Sequence, residues 1–106
     1  MKTLDTDLLA EMTRRLVGEF HPEQIILFGS HARGTPTDDS DIDLFVIVPE
    51  SDGTPHQRAI RAYRTLRDVE EPKDILVRTR AEADKYRYVY ASLACQIFEQ
   101  GVVLYG

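Results

Sequence analysis

The spacing of apolar positions changes several times along the chain, and each change marks an element. Leu8, Leu9, Met12, Leu16 and Val17 recur with a helical period, which predicts a helix over residues 4–20. Asp5 and Asp7 stand near its start, where the helix dipole favours negative charge. His21-Pro22 ends it, and Gln24–Phe28 reads as a short apolar strand. Residues 29–40 carry too much Gly, Pro, Thr and Asp for a long element. They leave room for a short helix around Ser30–Arg33, closed by Gly34. The run Ile42–Val48 is apolar enough that both faces should be covered, as in a central strand.

Residues 49–55 read as a loop, and 54–69 return to helical spacing through Ile60, Tyr63 and Leu66. Residues 74–77 form a third short strand. Residues 80–100 are helical, unbroken or interrupted, and Val102–Tyr105 is a last strand. This order predicts an α+β fold built in α/β layers, a small mixed β-sheet covered by helices. No repeat or linker divides the chain, so residues 1–106 are expected to form one domain.

Charge narrows the function classes. A formal net charge of -5 argues against gripping nucleic acid through a broad basic surface. Cys95 is the sole cysteine, so no intrachain disulfide can form. The acidic start lacks the apolar core of a secretory signal, and the apolar runs are too short to span a bilayer. A cytoplasmic location, with no membrane partner, is the expectation.

The candidate chemistry lies where the pattern is least comfortable. Asp41 and Asp43, with Asp38 and Asp39 just upstream, head an apolar strand, a place where strand propensity disfavours them. Residues two apart in a strand share a face, so Asp41 and Asp43 project together. Carboxylates this close repel, and one is pushed towards protonation unless a cation is present. Hard oxygen ligands of this kind suit Mg²⁺ or Mn²⁺. Two ions can clamp the attacking and leaving oxygens of a phosphoryl displacement. Asp74, heading the next strand, is the candidate third carboxylate. Gly29-Ser30 closes the strand before: a glycine there lets backbone approach a phosphate, the Ser30 hydroxyl donates a hydrogen bond, and Arg33 adds charge. If the backbone at Gly29 is extended, valine there should block phosphate without much loss of fold. Alone, a D-x-D pair is weak, because turn chemistry also places Asp before a strand.

Together the residues read G-S-x-A-R-G-x5-S-D-x-D, with Gly29, Ser30, Ala32, Arg33, Gly34, Ser40, Asp41 and Asp43 at the fixed positions. This pattern resembles the DNA polymerase β-like nucleotidyltransferase superfamily, which includes kanamycin nucleotidyltransferase. The short chain and its ending, EQGVVLYG, are similar to minimal nucleotidyltransferase (MNT) domains, the antitoxins of HEPN/MNT toxin–antitoxin pairs. The resemblance implies the nucleotidyltransferase fold and transfer of a nucleoside monophosphate, AMP from ATP or another NTP, with release of pyrophosphate. It implies that Asp41, Asp43 and Asp74 are the catalytic, metal-holding carboxylates, for two Mg²⁺ ions or Mn²⁺. Gly29, Ser30, Arg33 and Ser40 fall to nucleotide binding. The acceptor it implies is a protein, a HEPN-type toxin, and nucleic acid is not expected as the main partner. The alternatives are an inactive module that neutralises its partner by contact, and transfer to RNA or a small molecule. A homo-oligomer is left open.

Other residues receive plainer readings. His31 is expected as an exposed loop residue, His56 as a loop residue, His21 at the helix end and Cys95 in the core. Arg58, Arg61, Arg64 and Arg67 read as a solvated helix face, with a partner interface as the alternative. Tyr86 and Tyr90, on one face if the segment is helical, read as core or subunit packing before base stacking.

Overall fold

The structure, a computed structural model, describes residues 5–36 and 40–106. Leu4, Asp38 and Asp39 lie outside the described residues. The elements run α1 (Thr6–Phe20), β1 (Gln24–Phe28), α2 (Ser30–Arg33), β2 (Ile42–Val48), α3 (Pro55–Thr65), β3 (Lys73–Thr79), α4 (Arg80–Lys85), α5 (Leu93–Gln100) and β4 (Val102–Tyr105).

Helix starts follow local hydrogen-bond chemistry. The Asp5 side chain accepts from the amides of Asp7 and Leu8 at 3.0 and 3.1 Å, capping α1. Thr54 with Gln57 and Thr79 with Glu82 form reciprocal capping boxes at α3 and α4, and Ser92 caps α5. His21 ends α1 in the left-handed conformation, φ 48° and ψ 54°, in keeping with its expected helix-end role.

The sheet has the order β3-β2-β1-β4. β1 pairs antiparallel with both β2 and β4, and β2 pairs parallel with β3, so the sheet is mixed. On one face Ile25, Leu27, Leu44, Val46, Ile75 and Val77 pack against Met12 and Leu16 of α1 and Ala62 and Leu66 near α3. On the other, Ile26, Phe45 and Ile47 meet Ala83 of α4 and Ile97 of α5. Burying each such large aliphatic side chain contributes about 1.5–3 kcal/mol. Cys95 is buried, as expected of a core residue. Among the described residues no helix is long and apolar enough to cross a membrane.

Three readings outside the candidate site are corrected by the structure. Arg58 is buried, 5% exposed, and pairs with Glu82 of α4. Arg58, Arg61 and Arg64 do not share a face, because each three-residue step turns back about 60° around a helix of 3.6 residues per turn, and Arg67 lies beyond the end of α3. Arg61 instead meets Glu19 of α1, while Arg64 and Arg67 are exposed. The second correction concerns residues 86–92, which separate α4 from α5 in an irregular turn, with Ala91 at φ 63°. Tyr86 and Tyr90 therefore share no helical face and are 49% and 94% exposed, so core packing is excluded for both. Finally, His56 lies in the first turn of α3 and not in a loop.

Candidate active site

The end of β1 and the starts of β2 and β3 meet at one end of the sheet. Phe28 stands opposite Asp43 across the antiparallel pair, and Asp43 stands opposite Asp74 across the parallel pair. Directly opposed residues project to the same face. The Asp43 and Asp74 carboxylates therefore sit on neighbouring strands, on the side that α4 and α5 cover further along. Asp41 lies two residues ahead of Asp43 and is exposed, as is Asp74, whereas Asp43 is half-buried. Among the described residues no three His, Cys, Asp or Glu side chains converge closely enough to cage a metal ion. The carboxylates are spread across two strands and do not close around one point.

Their charges are nevertheless felt. Burial first, then the carboxylates of Asp74 and Asp41, push the Asp43 carboxyl above its ordinary value, with His31 and Arg33 pulling the other way. A cation placed among these oxygens would relieve that repulsion. The donors are all hard oxygens, which fits Mg²⁺ or Mn²⁺, with Asp43 central and Asp41 and Asp74 beside it.

Gly29 is pressed against the central carboxylate. A Cβ at this position would lie 2.1 Å from Asp43 Oδ2, and the backbone has φ 77° and ψ -157°. Both facts require glycine. The extended backbone that would tolerate valine is thus not what the structure has. Gly29 caps α2, whose first-turn amides have no acceptor within the helix. Ser30 Oγ lies 2.9 Å from Ser40 Oγ, joining the start of α2 to the approach to β2 across the intervening turn. Arg33 is exposed on α2 and, with Phe28 and Gly29, borders a cavity of about 180 Å³ beneath α5. The structure thus brings Gly29, Ser30, Ser40, Asp41, Asp43 and Asp74 to one end of the sheet, with Arg33 on the rim.

His31 departs from its expected place. It lies on α2, is half-buried, and has both ring nitrogens shut off from solvent without a hydrogen-bond partner. Its position in a glycine-rich stretch gave no sign of this. Tyr63 also escaped the sequence reading, where it counts only as a helical spacer. From α3 its hydroxyl reaches Asp74 Oδ1 at 3.1 Å and the Ile75 amide at 3.0 Å. No local pattern announces such a contact, because it depends on how α3 lies against the strand.

A groove of about 390 Å³ lies along the same sheet face, floored by Phe45 and Leu76 and walled by residues of α4, α5 and the turn between them. Phe45 and Leu76 are each two residues beyond Asp43 and Asp74, so groove and carboxylates adjoin along the strands. The Gly29 turn thus adjoins the carboxylate row, and the row adjoins the apolar groove.

Comparison with solved structures finds the same architecture. A Sulfolobus solfataricus protein provisionally described as a nucleotidyltransferase aligns with TM-score 0.65 and 22% identity, over 92% of this chain and 76% of that one. A mutant form of the toxin–antitoxin pair MntA-HpeT aligns with TM-score 0.61 and 22% identity, over 98% and 74% of the two chains. A toxin–antitoxin structure with AMP-PNP aligns with TM-score 0.57 and 23% identity, over 92% and 73%. No curated protein matches the sequence. The sequence does match the nucleotidyltransferase domain family over residues 8–103, nearly its whole length. The chain belongs to the nucleotidyltransferase domain family.

Proposed function

We propose that this chain transfers a nucleoside monophosphate, AMP from ATP, to a hydroxyl on a partner protein, and that the partner is a HEPN-type toxin which the modification silences. The observation that carries the reading is the contact between Gly29 and Asp43. The turn suited to a triphosphate and the carboxylate suited to a metal ion occupy adjoining space.

In this reading the turn from Gly29 to Arg33 holds the triphosphate, with amides of α2 donating to phosphate oxygens and the Ser30 hydroxyl joining them once its proton turns from Ser40 to the phosphate. Ser40 anchors the turn, and Arg33 adds charge at the rim. Asp41, Asp43 and Asp74 would hold Mg²⁺ or Mn²⁺, which when bound offsets the charge that builds on the transferring phosphoryl group. The groove over Phe45 and Leu76 shelters the apolar part of the donor. The acceptor hydroxyl gives up its proton to solvent as its oxygen bonds to the α-phosphorus, the bond to the β-phosphate breaks, and pyrophosphate leaves. The chain's own contribution is to fix the geometry and keep the carboxylates together.

Support for a toxin partner comes from the toxin–antitoxin structures that share the fold. The net charge of -5 adds that a nucleic-acid acceptor would meet net repulsion. One observation favours a second reading, neutralisation by contact alone: among the described residues no three donors converge at metal-ligand distance. Incubation with Mg²⁺ and each of the NTPs labelled at the α-phosphate separates the two. Label appearing on the partner with release of pyrophosphate supports transfer. A stable complex with no label on it supports contact alone.

A further inference from the structure

We infer that Tyr63 is a positioning residue for Asp74: its hydroxyl fixes the carboxylate to the backbone of its own strand and presets it for a divalent cation. The inference rests on the carboxylate reading above and goes beyond it. β3 is an edge strand, and α3 packs on the sheet face opposite the carboxylates. Tyr63 nevertheless reaches past the strand edge to that carboxylate.

Its hydroxyl accepts a hydrogen bond from the Ile75 amide at 3.0 Å and donates to Asp74 Oδ1 at 3.1 Å. A phenol has one proton to give. With the Ile75 N–H filling an acceptor position, that proton is directed at Asp74. The bridge therefore links a carboxylate to the amide of the next residue, and through β3's register with β2 to Asp43. An exposed Asp at a strand start otherwise samples several rotamers. One oxygen is held by Tyr63, and Oδ2 lies outside that bond. A partner of this kind, one step behind a metal-holding group, typically changes metal affinity 10–100-fold when removed.

The alternative is that Tyr63 only covers the strand edge. Mn²⁺ titration, followed by electron paramagnetic resonance with a non-hydrolysable ATP analogue and no acceptor, separates the two. Four chains are compared: wild type, Tyr63→Phe, Asp74→Asn and the double variant. Tyr63 is 37% exposed, so phenylalanine keeps its packing, and apo melting temperatures report any loss of fold. The expected result is that Tyr63→Phe raises the half-saturating Mn²⁺ concentration about tenfold in the wild-type background, with no further rise beside Asp74→Asn. A lowered melting temperature with unchanged half-saturation overturns the inference. So does an equal rise in both backgrounds. A wild-type chain that fails to bind Mn²⁺ with the analogue overturns this inference and the carboxylate reading together.

Discussion

Arg58 of α3 grips Glu82 of α4 through two hydrogen bonds, Nη1 to Oε1 at 2.7 Å and Nη2 to Oε2 at 3.0 Å. The same guanidinium donates to the carbonyls of Val77 and Gly53, at 2.9 and 3.3 Å. One side chain thus ties α3, its preceding loop, β3 and α4 together, and α4 walls the groove beside the carboxylates.

This pairing sets a pH dependence of stability. The Arg58 hydrogen bond, against a smaller opposing effect of burial, holds the Glu82 carboxyl at about 2, below its ordinary 4.5. A depressed carboxyl contributes stability above its unfolded pKa and loses it as pH falls through the folded one. Stability should therefore decline between about pH 4.5 and pH 2. Glu82 is 37% exposed, so after solvent screening the contribution is about 1–2 kcal/mol. Denaturant melts of wild type and Glu82→Gln across this range check it: the wild-type advantage should shrink towards pH 2.

Gly29→Ala should disable the site before it destroys the fold. Its Cβ would meet Asp43 Oδ2, the far end of a side chain that can swing away, while a backbone at φ 77° and ψ -157° adds strain of about 1–3 kcal/mol. The carboxylate would be displaced from its neighbours. Circular dichroism should show a folded protein, and calorimetry should show lost affinity for a Mg²⁺-bound ATP analogue. Gly29→Val, with a larger side chain at the same φ, should be less stable than Gly29→Ala.

Asp41→Asn combined with Asp43→Asn should leave the apo protein as stable as wild type or more so. The folded Asp43 carboxyl is raised above 3.8 by burial and by Asp74 and Asp41. A raised carboxyl binds more protons folded than unfolded, so its contribution weakens as pH rises through that window. Asparagine removes the effect. Thermal melts should show this gain in apo protein, together with loss of the rise that Mg²⁺ and NTP give wild type by mass action.

Much of this architecture was legible because the local signals agreed with one another. The bounds of β1, α2, β2 and β4 follow from apolar runs and their Gly and Pro punctuation. The mixed sheet then brings Gly29 to Asp43, which the motif spacing singled out, and Asp43 to Asp74, which only its place at the head of the next strand suggested. What spacing could not reveal depends on tertiary approach. Arg58 looked like its three exposed-looking neighbours, and only the position of Glu82 across the packed α3 and α4 makes it a buried cation. Tyr63 entered only as part of a helical spacing, and only the edge placement of β3 brings it to Asp74. Apolar spacing left open whether residues 80–100 break; the interruption falls at 86–92, where tyrosines remain exposed around Ala91 at φ 63°.

The most direct measurement of nucleotidyl transfer is the intact mass of a candidate HEPN-type partner, after mixing both purified proteins with Mg²⁺ and ATP. Wild type should add the mass of one or more AMP groups to the partner, and the Asp41→Asn, Asp43→Asn chain should add none. A tight complex whose partner keeps its unmodified mass would contradict transfer and leave neutralisation by contact. Transfer to RNA or to a small molecule, with no complex formed, would contradict the assignment of a protein acceptor.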